Sequence, residues 1–398
     1  MKNLFLILYL SLAGTAVAQK NTNAYAAVDK AALAMPADKT NSTTAIAAYI
    51  NSNFQTQADK VRAIFIWVAT NVSYDVDNMF AFNEKETTRE KIDKVLRTRK
   101  GVCEHYAALF NELCEKCEVP SSVVVGYTRQ NSQTGYTRHG WCAARIDSKW
   151  KLFDPTWGSG VILNEKFSAT INNQYFMADP TALVKTHMPF DPMWQMLERP
   201  LTNKEFADGK LVQGKTAQYF SYADTIEAYL KLNDEGKMVA EARRLEQNGV
   251  SNQVVHDRLY NLRENIEILR HNATVDRQNK LVDVYNSAVS DFNEGVNDLN
   301  EFINYRNHQF TPARSDAAIR AMLDKADTRI SGADTRLKQI KGEDPKIDEM
   351  IRPVLKTVND AMSALAEQKA WLNEYMGKSK LGRKTMFRKY TWMGIPLN

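Results

Sequence analysis

Cysteine is scarce in this chain: there are four, Cys103, Cys114, Cys117 and Cys142, among 398 residues. A scaffold stapled by disulfides is normally far smaller and spreads its cysteines along the chain, so that class is excluded. After the amino terminus no apolar run approaches about 18 residues, which argues against a membrane-spanning helix. Charge of one sign is weak as well. A formal net charge of +5 lacks the concentrated basic face that nucleic-acid binding requires. The one locally basic stretch, KSKLGRKTMFRK at Lys378–Lys389, reads as a solvated tail offering at most a weak contact with an anionic surface. No heptad persists and no fixed-period repeat is present, so a coiled coil or a repeat array is not expected.

What is present begins with MKNLFLILYLSLAGTAVAQ. One lysine, an apolar run from Leu4 to Ala13 and the small residues Ala16-Val17-Ala18 form the pattern of a Sec signal peptide over residues 1–18. The run is too short to span a bilayer as a helix. No cysteine follows the expected cut, so lipid anchoring is not expected. The mature protein should be soluble and exported, periplasmic or extracellular. Its composition, 44% apolar and 25% charged, is that of ordinary globular protein, and the length suits two domains.

Residues 19–40 read as a loose arm. Apolar residues then recur at helical spacing over Thr44–Phe54 and Ala58–Asn71, with Val61, Ile64, Phe65 and Val68 on one stripe. A threonine cap at Thr87-Thr88 precedes a further helical run, Ile92–Leu96. Gly101 breaks the chain, and Cys103–Lys116 carries Tyr106, Leu109, Phe110 and Leu113 on one helical face. After Pro120 the period changes to two. Ser121–Thr128, His139–Ile146 and Lys149–Asp154 read as antiparallel strands, the last two joined by a tight turn at Asp147-Ser148. Helices followed by a meander make an α+β layout. Beyond Thr216 the long segments Val254–Leu269, Leu281–Tyr305, Asp316–Ile340 and Ile347–Tyr375 are helical in spacing, punctuated by Pro312, Pro345 and Pro353. Turn signals near Leu201–Gly214 separate the two parts. The expected domains are therefore 19–205, which holds the chemistry, and an all-α bundle at 206–398.

The chemistry follows from strand register. If Asp147-Ser148 form the turn, His139 and Asp154 share one face as diagonal neighbours, roughly 7–8 Å apart at the backbone. An imidazole can close that gap, give its N–H to the carboxylate and so be fixed in tautomer and orientation. Such a histidine serves a thiol nucleophile, and Cys103 lies where a helix begins. Unpaired N–H groups and the positive dipole end favour thiolate there. Gly101 is expected to allow a tight turn and leave room for substrate, and the Cys103 backbone N–H is a donor for an oxyanion. Cys103, His139 and Asp154 are the candidate catalytic residues for thiol acyl transfer.

GVCEHYAALFNELC, SSVVVGYT and HGWCAARIDSKWKLFDPTWG, with VRAIFIWVATNVSYD and VLRTRKGVC upstream, together resemble the core of the transglutaminase-like superfamily over about residues 58–160. The similarity is to the branch containing the kyphoscoliosis peptidase and cytokinesis-protein relatives. It implies a papain-like α+β fold, a Cys-His-Asp triad on these three positions, and a protein or peptide substrate whose amide bond is hydrolysed through a thioester. Protein crosslinking by amine transfer, or a non-catalytic interaction module of the same fold, are the alternatives. No cofactor and no metal is expected. Asp75 and Asp77 do not complete a calcium loop, and a zinc site would consume Cys103 or His105. Cys114 and Cys117, a Cys-x-x-Cys pair at a helix end, read first as packing thiols, with a disulfide or metal site left open. Trp67 is the upstream tryptophan available to the oxyanion, with a core role favoured. Gly140 stands where relatives carry Ala or Val, which would widen the site. Trp141 and Trp157 are expected to wall the cleft. His105 reads as a spectator, and His187, His256, His271 and His308 are assigned no role.

Overall fold

The structure, a computed structural model, describes residues 24–79, 86–129, 136–209, 219–387, 389–390 and 396–397. The expected signal peptide at 1–18 and part of the turn-rich stretch 201–214 lie outside the described residues. The expected α+β class holds.

Five helices come first: α1 (Ala26–Leu33), α2 (Thr43–Asn53), α3 (Gln57–Asn71), α4 (Thr88–Thr98) and α5 (Cys103–Lys116). Their starts are capped as side-chain chemistry dictates. The Ser42 hydroxyl accepts from Ala45 N–H and the Thr56 hydroxyl from Asp59 N–H, each at 3.1 Å. Thr87 and Glu90 close a reciprocal capping box. The expected loose arm at 19–40 is instead partly helical. Apolar Ala32 and Met35 bury against the core, and Asp29 on α1 makes a two-pronged pair with the buried Arg62 guanidinium of α3, at 2.6 and 2.7 Å. An arginine in an apolar helix needs such a partner, and that need orders the arm.

A short parallel pair, β1 (Ser73–Tyr74) with β2 (Lys100–Gly101), sets Tyr74 opposite Gly101 just ahead of α5. The main sheet is antiparallel. Its strands β3 (Ser121–Thr128), β4 (Thr137–Ile146), β5 (Lys149–Phe153) and β8 (His187–Pro189) run in the order β5-β4-β3-β8. The β4–β5 register pairs Cys142 with Phe153 and Ile146 with Lys149, as the expected two-residue turn requires. Asp147 and Ser148 both take positive φ, 47° and 64°, the geometry whose twist matches the strands it joins. Between β5 and β8 an outlying hairpin, β6 (Gly160–Leu163) and β7 (Lys166–Ala169), carries exposed Val161, Ile162 and Leu163.

Alternation gives the sheet two buried faces. Cys142, Ala144, Ile146 and Phe153 join α3 and α5 in one core, while Val124, Trp141, Ala143, Trp150 and Leu152 join another that includes Ile226. Phe206, Leu245, Val255 and Leu259 pack with Tyr127, Met188 and Phe190 in a third. These apolar groups come from α7 (Asn203–Asp208), α8 (Tyr222–Leu230), α9 (Asp234–Gln247) and the start of α10 (Gln253–Asn307), after the four-residue α6 (Pro180–Leu183). The compact units are accordingly Met1–Ile266 and Glu267–Asn398. The boundary expected after residue 205 falls inside the first unit, because the following helices supply the apolar cover for the sheet.

The second unit is helical. Besides the end of α10 it holds α11 (Asp316–Ile340), α12 (Pro345–Gly377) and the short α13 (Lys380–Thr385). Phe292, Leu299, Phe302, Leu323, Ile330, Leu337, Ile351, Val358 and Leu372 fill its core. The two helical segments expected at 254–269 and 281–305 are one 55-residue helix, since nothing between them breaks a helix. Pro345 occupies the first turn of α12, where a missing N–H costs nothing. Pro353 does not punctuate; it lies inside α12. In the basic tail, Arg383 pairs with Asp316 at 2.7 Å and lies over the Tyr375 ring. Among the described residues no helix is long and apolar enough to cross a membrane.

Candidate active site

Cys103 is the first residue of α5 and is buried, at 4% exposure. The chain reaches it through β2, and the helix start is secured by a side chain: Val102 N–H donates to His105 Nδ1 at 3.2 Å. His105 is thus buried and secures the helix start. Gly101 serves this contact. A Cβ there would lie 2.7 Å from His105 Cβ and 3.1 Å from Val95, so the glycine makes room for His105, not for a substrate as expected. At the first turn of a helix the Cys103 N–H has no acceptor within the helix and faces outward as a donor.

His139 stands on β4 and Asp154 directly after β5, and the register brings them together. His139 Nε2 lies 2.8 Å from Asp154 Oδ2. The carboxylate is fully buried and every lone-pair direction is used. Oδ1 accepts from the backbone N–H of Thr156 at 2.8 Å and Trp157 at 3.1 Å. Oδ2 accepts from His139 and, at 3.0 Å, from His187 Nε2. Burial alone would raise the Asp154 pKa, but the charge and N–H of His139 and the N–H of His187 hold it well below the usual carboxylate range. Burial likewise opposes charge on His139, yet the Asp154 charge and its hydrogen bond, with the nearby Cys103, raise the imidazole to about 10. With Nε2 committed to Asp154, Nδ1 is the ring nitrogen left for the thiol.

The aromatic neighbours divide between cleft and core. Trp141 is 1% exposed and stacks behind His139, ring centres 5.9 Å apart, so it backs the imidazole and does not wall the cleft as expected. Trp157 does line it. Trp67 is buried in α3 under the Arg99 guanidinium, away from the cleft lining, which leaves it a core residue. At Gly140 a Cβ would come no closer than 3.9 Å to Glu104 Cα and Val124 O, so the glycine leaves a methyl-sized space beside the first turn of α5. Cys114, Cys117 and Cys142 are buried and free, and burial raises the pKa of each thiol. They pack; they form no disulfide.

Cys103 and His139 open onto a cleft of about 380 Å³. Tyr74, Met79, Trp157, Val161, Ile162 and Phe167 give it an apolar wall, and Thr128, Thr137, Arg138, Thr156, Asn172 and Thr186 a polar one. The Thr156 hydroxyl is buried without a hydrogen-bond partner among the described residues.

Sequence reasoning missed His187. Its position, thirty-three residues after Asp154 across an irregular connection, offers no periodicity to connect them. Only the β3–β8 pairing, with Thr128 opposite His187, delivers it to the carboxylate. His139, Asp154 and His187 present three ligand-type atoms within 4.8 Å of one another. Both nitrogens meet the same oxygen at hydrogen-bond distance, an arrangement that two N–H donors to one carboxylate account for.

Residues 44–155 match the model of the transglutaminase-like superfamily. Kyphoscoliosis peptidase of Homo sapiens is 34% identical over 159 residues, 38% of this chain and 24% of that protein. Hillarin of Drosophila melanogaster is 24% identical over 212 residues, 48% of this chain and 25% of hillarin. The chain thus spans about a quarter of the length of the curated relatives it matches. Among solved structures, the periplasmic domain of TgpA from Pseudomonas aeruginosa is 21% identical, with 33% of this chain and 47% of that one aligned and a TM-score of 0.23. The core at 44–155, with the cysteine-headed helix and the strands that follow it, is transglutaminase-like.

Proposed function

We propose that the protein is an exported cysteine-dependent acyl-transfer enzyme acting on amide bonds of a protein or peptide. The observation that carries this reading is His139, hydrogen-bonded to a fully buried Asp154 and lining one open cleft together with Cys103. The Cys103 thiolate attacks the amide carbonyl carbon, and the Cys103 N–H donates to the oxyanion. As the C–N bond breaks, the His139 imidazolium gives its proton to the leaving amine. Water then attacks the thioester, His139 takes a proton from it, and the C–S bond breaks to release the acid and restore the thiolate–imidazolium pair. Hydrolysis is favoured over amine transfer because the polar wall, Thr128, Thr137, Thr156 and Asn172, lets water stand beside the thioester. Export rests on the signal-peptide pattern at 1–18 and predicts a mature chain beginning at Gln19.

The deciding experiment incubates the mature protein and its Cys103→Ala variant with a peptide library and a labelled amine. Cleaved peptides formed only by the wild type are expected. Amine incorporation in place of cleavage would make it a crosslinking enzyme, and neither product would sink the enzymatic reading.

A further inference from the structure

His187 is fully buried, touches the candidate triad, and has no part in the reaction just described. It is absent from the cleft lining, which its neighbour Thr186 reaches, so it cannot meet a substrate or the Cys103 sulfur. Its own contacts are specific. Nε2 lies 3.0 Å from Asp154 Oδ2, and Nδ1 lies 2.8 Å from Thr186 Oγ1. An ionised carboxylate only accepts, so Nε2 carries the hydrogen; in a neutral ring Nδ1 is then an acceptor for the Thr186 hydroxyl, which also lies 3.3 Å from Leu183 O. The two imidazoles approach Oδ2 with ring centres 5.3 Å apart, nearly edge to face, and Trp157 packs on His187 at 4.5 Å. The backbone is shaped for this approach. Gly126 is the register partner of His139 on one side and of Pro189 on the other. A Cβ at 126 would fall 2.2 Å from Met188 O and 2.6 Å from Trp141, so only glycine lets β8 bring His187 in.

Resting on the triad reading above, we propose that His187 is a positioning residue: a neutral imidazole that clamps the Asp154 carboxylate so that it holds His139 aligned on Cys103. Four donors leave the carboxylate no rotation to exploit. Without the His187 N–H, Oδ2 keeps His139 as its one donor, and only the two backbone N–H groups on Oδ1 still restrain the carboxylate against turning away. Neutrality is supported by burial, which lowers the His187 pKa, and by repulsion from the His139 charge. The cluster then holds one imidazolium against one carboxylate.

The test uses the full chain with iodoacetamide as probe, following the alkylation rate of Cys103 near neutral pH. In parallel, the far-downfield N–H proton of His139 is followed by NMR, and thermal melting checks the fold. His187→Gln sets an amide N–H close to where Nε2 stands, whereas His187→Asn sets it near Nδ1, out of reach of Asp154. The Gln variant should label within about threefold of wild type and keep the downfield signal. Asn and Phe variants should slow about ten- to hundredfold, the range expected for a lost hydrogen bond to a charged group, and lose that signal. Asp154→Asn should slow labelling at least as much. If Asp154→Asn slows labelling but Asn at 187 labels like wild type, the clamp is wrong and the triad stands. Equal slowing by Gln and Asn would reduce His187 to packing and overturn the proposal, as would a stoichiometric metal ion in the purified protein. If Asp154→Asn itself labels at the wild-type rate, the triad reading falls and the clamp with it. Should the Phe variant not fold, the Gln and Asn pair decides alone.

Discussion

At the scale of single residues, the protonation of His139 links the site to stability. Its imidazole keeps a proton up to about 10, whereas an unfolded histidine releases it near ~6.5. The stability contributed by this pair is therefore complete below about pH 6.5 and is lost as pH rises toward 10. Asp154, held below the usual carboxylate range, acts with the opposite sign. Its contribution exists above about pH 4 and disappears in acid. The melting-temperature difference between wild type and His139→Gln should be largest near pH 6 and shrink toward pH 10; melts across that range, with no shrinkage, would contradict the ion pair. A second buried pair acts on the fold alone. Asp29→Ala would leave the Arg62 guanidinium, whose side chain is 2% exposed, without its carboxylate, at a cost of about 3–5 kcal/mol in chemical denaturation.

At the scale of elements, the site is a convergence of one helix start and three strands, and glycines decide how closely they meet. At Gly126 an added methyl meets backbone oxygen at 2.2 Å, and backbone cannot swing aside. Gly126→Ala should cost upward of about 1–3 kcal/mol and, by displacing β8, slow Cys103 alkylation as well. Gly140→Ala, with nothing closer than 3.9 Å, should melt within a degree or two of wild type, about the effect of a change below 0.5 kcal/mol. Circular-dichroism melts of the two variants side by side check both. The β4–β5 register and the helix α5 were legible in advance because each obeys a simple period. The approach of β8 was not. A three-residue strand has no period to detect, and nothing local reveals that Gly126 faces a backbone oxygen.

At the scale of the whole molecule, the compact unit that holds the candidate site extends to Ile266, sixty-one residues past the expected boundary by the numbering of the chain. Phe206, Leu245, Val255, Leu259 and Leu262 pack with Tyr127 and Phe190. Each such side chain contributes about 1.5–3 kcal/mol on burial, and together they rival the ~5–15 kcal/mol by which a domain is stable at all. A chain ending at Ile266 should therefore melt cooperatively and still alkylate rapidly at Cys103. A chain ending at Glu205 should lose cooperative melting and expose apolar surface to a hydrophobic dye. A cooperative melt from the shorter chain would show that the sheet needs no cover from α8–α10.

Local pattern alone determined the helices α2–α5, the three-strand meander, the opposition of His139 and Asp154 and the place of Cys103. These follow from periods of 3.6 and 2, from capping chemistry and from a two-residue turn, all of which act over a few residues. Tertiary structure alone decided that residues 26–33 fold onto α3, that Gly101 serves His105, that Trp141 backs the imidazole and that His187 completes the shell around Asp154. In each case the cause is a buried charge or polar group seeking a partner, or a backbone seeking room, at a separation along the chain over which side-chain spacing carries no information.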